Sequence, residues 1–284
     1  MLMMRNMLVF SAFLSLVACG ANPPPAARTV PASATNAPKK PDAPSSIEIV
    51  ESVPLETTLD HANVPNTDEV WLDMMSHAEK SISLAIFYAS SQPDDHLEPV
   101  VKAIEAAAAR HVDVRLLFDA SFYEKNRDVP DRLAKNPSIK VRLIDIKSKT
   151  GGVLHAKYFI VDDHDSYIGS ANFDGRALDH IQEIGVRVGD RDIARTLDQV
   201  FRYDWREAEP LRVLDPNAPK PPKNEANGDQ PAPRTFATPP LPLPLPNLPV
   251  TISHDGEATH VTPLVSPRRL MPEGYASLDE LPHL

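Results

Sequence analysis

Gly151-Gly152-Val153-Leu154-His155-Ala156-Lys157-Tyr158-Phe159-Ile160-Val161-Asp162, followed by Asp163-His164-Asp165 and a short run to Gly169-Ser170-Ala171-Asn172, decides how this chain folds. The apolar pattern predicts a strand over 153–161, a turn at the Asp-His-Asp triplet and a returning strand over 166–168. Residues two apart on a strand share a face, so His155 and Lys157 project side by side while Leu154, Ala156 and Tyr158 face the opposite layer. The return brings Ser170 and Asn172 toward the same pocket. Glu183, heading a further strand over 184–188, is placed to reach the far ring nitrogen of His155, fixing its tautomer and raising its basicity. A nucleophile or base, a fixed cation, a neutral amide and a carboxylate are therefore expected to meet.

Outward from this stretch the period of the apolar pattern changes repeatedly. Residues 47–53 alternate like a strand, 68–80 have helical spacing behind an Asn66-Thr67-Asp68 cap, and 81–88 form a short apolar strand. An alanine-rich helix over 97–109, a strand over 112–118, a helix over 122–134 and a strand over 139–144 follow, and an amphipathic helix over 191–205 closes the unit. Alternating strands and helices predict an α/β layered fold, a mixed β-sheet flanked by helices.

Proline sets the boundaries of that unit. Of 30 prolines, 24 lie in residues 1–45 and 210–284, so the flanks read as extended, proline-rich segments and 46–209 as one compact domain. The 284 residues carry 29 basic and 39 acidic side chains, 29 − 39 = −10, and the domain alone holds 19 and 30, a balance of −11. Such a domain lacks the field that drives indiscriminate binding to duplex phosphates, so phosphate chemistry requires a locally cationic pocket. With Cys19 the only cysteine, no intrachain disulfide is possible.

One positive charge and an apolar run over 7–17 read as a signal peptide, too short to span a bilayer. Leu16-Val17-Ala18-Cys19-Gly20 resembles the lipobox of bacterial lipoproteins, which implies acylation at Cys19, export and a lipid anchor in the cell envelope, with Gly20 pointing to the outer membrane. Residues 1–19 are then signal peptide and lipobox, 20–45 a proline- and alanine-rich tether, and 210–257 a proline-rich linker with a polyproline run at 239–246.

The spacing from His155-x-Lys157 through Asp162 to Gly169-Ser170-x-Asn172 resembles the signature of the phospholipase D superfamily, and every interval is met. The likeness runs from Val50-Glu51-Ser52-Val53-Pro54 onward and is greatest to the branch of phospholipase D types three and four and related poxvirus proteins. It implies that His155 attacks phosphorus to form a phosphohistidine, that Lys157 and Asn172 bind the non-bridging oxygens, and that Glu183 orients the histidine. Ser170 is implied as a supporting donor, Asp162 as a structural carboxylate, and Gly169 as a point of close backbone approach. No metal or cofactor is implied. The substrate is expected to be a phospholipid head-group ester, hydrolysed or transferred, or alternatively single-stranded nucleic acid.

Members of that family pair two motifs, because a second histidine must protonate the leaving alcohol. Here the histidines at 61, 77, 96, 111, 164, 180, 254, 260 and 283 are never followed two residues later by lysine, and they read as surface or core residues. A homodimer lending one motif per chain, or a missing second half, would complete the site. Residues 258–284 echo the opening of the domain and read as the start of a truncated second half; an inactive lipoprotein half-domain is the rival expectation.

Overall fold

In the computed structural model, which describes residues 45–213, 249–254 and 257–263, the expected alternation is present. In chain order the elements are β1 (Ser46–Ser52), α1 (Thr67–His77), β2 (Ser81–Ile86), β3 (Ala89–Ser90), α2 (Leu97–Ala109), β4 (Asp113–Asp119), α3 (Ala120–Tyr123) and α4 (Asp128–Ala134). There follow β5 (Ile139–Ile144), α5 (Ile146–Thr150), β6 (Lys157–Val161), β7 (Asp165–Gly169), β8 (Phe173–Asp174), α6 (Gly175–Asp179), β9 (Glu183–Gly189), α7 (Arg191–Glu207), β10 (Glu209–Pro210), β11 (Val250–His254) and β12 (Glu257–Val261). The signal peptide, the lipobox with Cys19, nearly all of the tether, the polyproline run and the tail beyond 263 lie outside the described residues. Among the described residues no helix is long and apolar enough to cross a membrane.

An eight-stranded mixed sheet runs β1-β9-β7-β6-β2-β4-β5-β10. Strands β2, β4 and β5 are parallel, and the other neighbours in the sheet pair antiparallel. Its central strands are buried on both faces, which is why they read as continuous apolar runs. Ile82, Leu84, Leu116, Phe159 and Val161 meet Trp71, Met74 and Ile104 of α1 and α2 on one side. On the other, Ala85, Leu117, Tyr158 and Ile160 meet Ile193, Leu197 and Phe201 of α7. That helix is capped by Asp190, whose carboxylate accepts from Asp192 N and Ile193 N.

Three expectations are corrected. The helix expected over 122–134 is two short ones, α3 and α4, because a continuous helix would drive the Pro130 ring into the carbonyl four residues earlier, whereas in the first turn of α4 proline is tolerated. The strand expected over 153–161 begins only at Lys157; the N–H of Leu154 donates to the Asp119 carboxylate at 2.7 Å instead of entering a ladder. The linker expected over 210–257 contains β11, which pairs with β12, and Ile252, Val250 and Val261 pack on the α7-side cluster. The described part of 258–284 is thus part of a hairpin on this domain.

Candidate active site

One end of the sheet collects the residues of interest. Antiparallel pairing sets Ile86, at the end of β2, opposite Lys157 at the start of β6, and Gly169, at the end of β7, opposite Gly185 near the start of β9. His155, Ser170, Asn172 and Glu183 lie on or beside these strand ends, so chain reversals bring residues up to 28 positions apart to one edge. Leu154, Ala156 and Tyr158 face the α7 side, as the alternation requires, although regular pairing starts two residues later.

Lys157 Nζ lies 3.3 Å from Nδ1 and 3.3 Å from Nε2 of His155 and donates to the His155 carbonyl at 3.1 Å. Both rest on Phe87: the His155 and Phe87 ring centroids are 4.8 Å apart, and the ammonium is 5.3 Å from the Phe87 centroid. Burial and then the neighbouring ammonium lower the His155 pKa from the ordinary histidine value. Burial also lowers the Lys157 pKa, which the Glu183 carboxylate partly opposes. The imidazole is therefore biased toward the neutral form that can attack an electrophile.

Glu183 does not hydrogen-bond His155, contrary to expectation. Its carboxylate accepts from Ser170 Oγ at 2.5 Å, and Ser170 Oγ in turn accepts from Ile184 N at 3.1 Å, which ties the end of β7 to the start of β9. Toward Lys157 the Glu183 carboxylate acts through its charge. Asn172 Nδ2 donates to Tyr88 Oη at 3.3 Å, and Tyr88 donates to Asp174, whose other oxygen accepts from Ala177 N at 2.6 Å. Asn172 is half-buried, and its Oδ1 has no hydrogen-bond partner among the described residues.

An ammonium and an amide at neighbouring strand ends can stabilise the charge that develops on a phosphoryl group, beside an imidazole biased toward its neutral form and a carboxylate that acts on the ammonium. A family model described as "cardiolipin synthase, PLD-like domain" matches residues 71–205. Residues 71–205 are thus a phospholipase D-like domain. Phospholipase D Z of Dictyostelium discoideum is 34% identical over 154 residues, covering 50% of this chain and 35% of that protein. Human 5'-3' exonuclease PLD3 is 30% identical over 175 residues, 57% of this chain and 35% of that protein. The virion nicking-joining enzyme of vaccinia virus is 30% identical over 162 residues, 55% and 37%. The chain thus spans little more than a third of the length of these curated relatives. Among solved structures, the phospholipase D family member Nuc from Salmonella typhimurium aligns with a TM-score of 0.47 and 20% identity, over 60% of this chain and 99% of that one.

Not every residue of the phospholipase D motif lies at the site. Asp162 is at the far end of β6, five residues or about 17 Å from Lys157. Its carboxylate accepts from Glu79 N, Lys80 N and Ser81 N at 2.9, 2.7 and 2.9 Å, fixing the turn that leads into β2. Gly169 serves packing: a Cβ there would lie 2.3 Å from Tyr167 Oη, and one on its cross-strand partner Gly185 would lie 2.4 Å from the same atom. The close approach expected at Gly169 is made by the buried Tyr167 ring, stacked on Phe159 at 5.2 Å.

Sequence reasoning missed Tyr88, Asp174, Asp119 and the Glu51–His61 pair. Asp119, fully buried, accepts from Ser121 N and Leu154 N and so anchors the segment leading to His155. Glu51, also buried, accepts from His61 N at 2.8 Å and pairs with His61 Nδ1 at 2.9 Å, and both line a pocket of 530 Å³ with Ser170 and Glu183. The available signal was a carboxylate or phenol at the end of an apolar strand.

Proposed function

We propose that this domain is one half-site of a phosphodiesterase that works through a phosphohistidine. The His155–Lys157 contact, set beside Asn172 and Glu183 at one sheet edge, carries the reading. His155 attacks phosphorus, the P–N bond forms, and the P–O bond to the leaving alcohol breaks as that oxygen takes a proton. Water then attacks the same phosphorus and gives its proton to the group that protonated the leaving alcohol, the P–N bond breaks, and His155 is released neutral. Lys157 and Asn172 hold the non-bridging oxygens through both steps. Phospholipid head-group esters and single-stranded nucleic acid both offer the required diester, and a lipid anchor at Cys19 would hold the site at the cell envelope.

The proton for the leaving alcohol comes from a second half-site, supplied by another copy of the chain or by a further domain. A second reading places it on this chain: the Glu51 carboxylate holds His61 Nδ1 and leaves Nε2 to the pocket shared with Ser170 and Glu183. Turnover of a dinucleoside phosphate, whose leaving alkoxide needs a proton, across a dilution series tests both. Specific activity that falls on dilution, and survives His61→Ala, supports the paired site; activity independent of dilution and lost in His61→Ala supports the acid in the chain. Silence at every concentration, together with no phosphoryl group on His155 from bis(p-nitrophenyl) phosphate, whose leaving group needs no acid, contradicts the enzyme reading.

A further inference from the structure

Beside Asn172 opens a cleft of 410 Å³ whose lining includes Tyr88, Gln92, Phe122, Lys125, Asn126 and Arg176. Its lining balances two cations against two carboxylates, whereas the domain as a whole carries a balance of −11. Asp174 and Asp95 also line it, but Asp174 is occupied by Tyr88 and Ala177 N. Asp95 accepts from Gln92 N, Leu97 N, Glu98 N and Ser91 Oγ. The two cations, Lys125 and Arg176, are exposed and form no ion pair with a carboxylate among the described residues. Elsewhere on this domain arginines are engaged: Arg132 by Glu98 and Glu105, Arg187 by Asp73 and Asp165, Arg127 by Asp131.

The apolar wall is aromatic and continuous with the reaction centre. Tyr88 and Phe122 lie nearly parallel, 19° apart with centroids 6.3 Å apart; Phe122 packs on Phe87 at 4.1 Å, and Phe87 on His155 at 4.8 Å. Flat aromatic faces beside two exposed cations suit a ligand that alternates planar rings with phosphates.

We propose that this cleft is a subsite for single-stranded nucleic acid, in which Lys125 and Arg176 bind a phosphate neighbouring the scissile one and Tyr88 and Phe122 face the intervening base. The proposal rests on the phosphodiesterase reading for its purpose, but its test is binding and needs no turnover. Fluorescence anisotropy of a labelled oligothymidylate with the full chain gives Kd at several salt concentrations. The double variant Lys125→Gln/Arg176→Gln should weaken binding at least tenfold at low salt and reduce the log Kd against log salt slope by about 1.4, two contacts at about 0.7 each. Lys102→Gln/Lys140→Gln, an equal change of net charge on paired lysines elsewhere, should leave both within twofold. An unchanged Kd and slope in the first variant would overturn the subsite. So would wild-type protein that ignores the oligonucleotide while binding phosphatidylcholine vesicles. Loss of turnover with binding intact would count against the phosphohistidine mechanism alone.

Discussion

The ammonium of Lys157 lies 3.3 Å from both ring nitrogens of His155, and both groups pack near the Phe87 ring. This contact adds to burial in favouring the neutral form of the ring proposed as nucleophile. Because the His155 pKa is lowered by burial and by Lys157, the reactive neutral form persists into mildly acidic solution, and the acid limb of kcat/KM should fall below about pH 6.5. Lys157→Gln removes the second cause but not the first. NMR titration of the His155 ring in that variant should show the pKa partly restored toward the ordinary value; an unchanged or lower value would contradict the electrostatic account.

Asp162 is a stability residue carried within a catalytic motif. Asp162→Ala leaves three backbone N–H groups without their acceptor, and hydrogen bonds to a charged group are worth roughly 1.5–3 kcal/mol each when partners are not replaced by water. The turn is partly solvated, so a loss of about 2–4 kcal/mol is expected by chemical denaturation. The His155 titration of the folded fraction should not move.

Gly185→Ala should destabilise the domain by about 1–3 kcal/mol, the usual range for overpacking, because its Cβ would sit inside the contact radius of the buried Tyr167 ring. Thermal denaturation measures this. Gly169→Ala meets the same ring and should behave alike, and the two together should cost less than the sum, since one displacement of Tyr167 serves both.

Asp204 on α7 has its pKa pushed up to about 7 by burial, with Glu207 adding to the rise and Lys149 opposing it. The folded state therefore holds a proton that the unfolded state has released, and this contribution is full below the ordinary aspartate pKa and lost as pH rises to about 7. Asp204→Asn should match wild-type stability near pH 4 and exceed it by a margin that grows up to pH 8. A constant difference in Tm across that range would contradict the assignment.

Much of this was legible in the chain. The strands and long helices follow from local periodicity, and the facing of Leu154, Ala156 and Tyr158 away from His155 and Lys157 needs only the pleat. What local pattern does not carry is contact between distant residues. Asp119 reaches Leu154 across 35 positions and Tyr88 reaches Asn172 across 84, so neither phenol nor carboxylate stood out from any strand end. Glu183 was placed at the right edge but given the wrong partner, because spacing sets which strand ends meet and not which of two nearby donors a carboxylate takes. Pro130 concealed the break between α3 and α4, since a proline in a first turn and one inside a helix differ only in where the helix starts.

The most direct test of the central claim is to quench a reaction with a phosphorus-labelled diester at alkaline pH and locate the label by peptide mass spectrometry. A covalent phosphoryl group on His155, absent from the His155→Asn variant, is the predicted result. Turnover of the diester with no label on His155, or with label retained on another residue in His155→Asn, would contradict it.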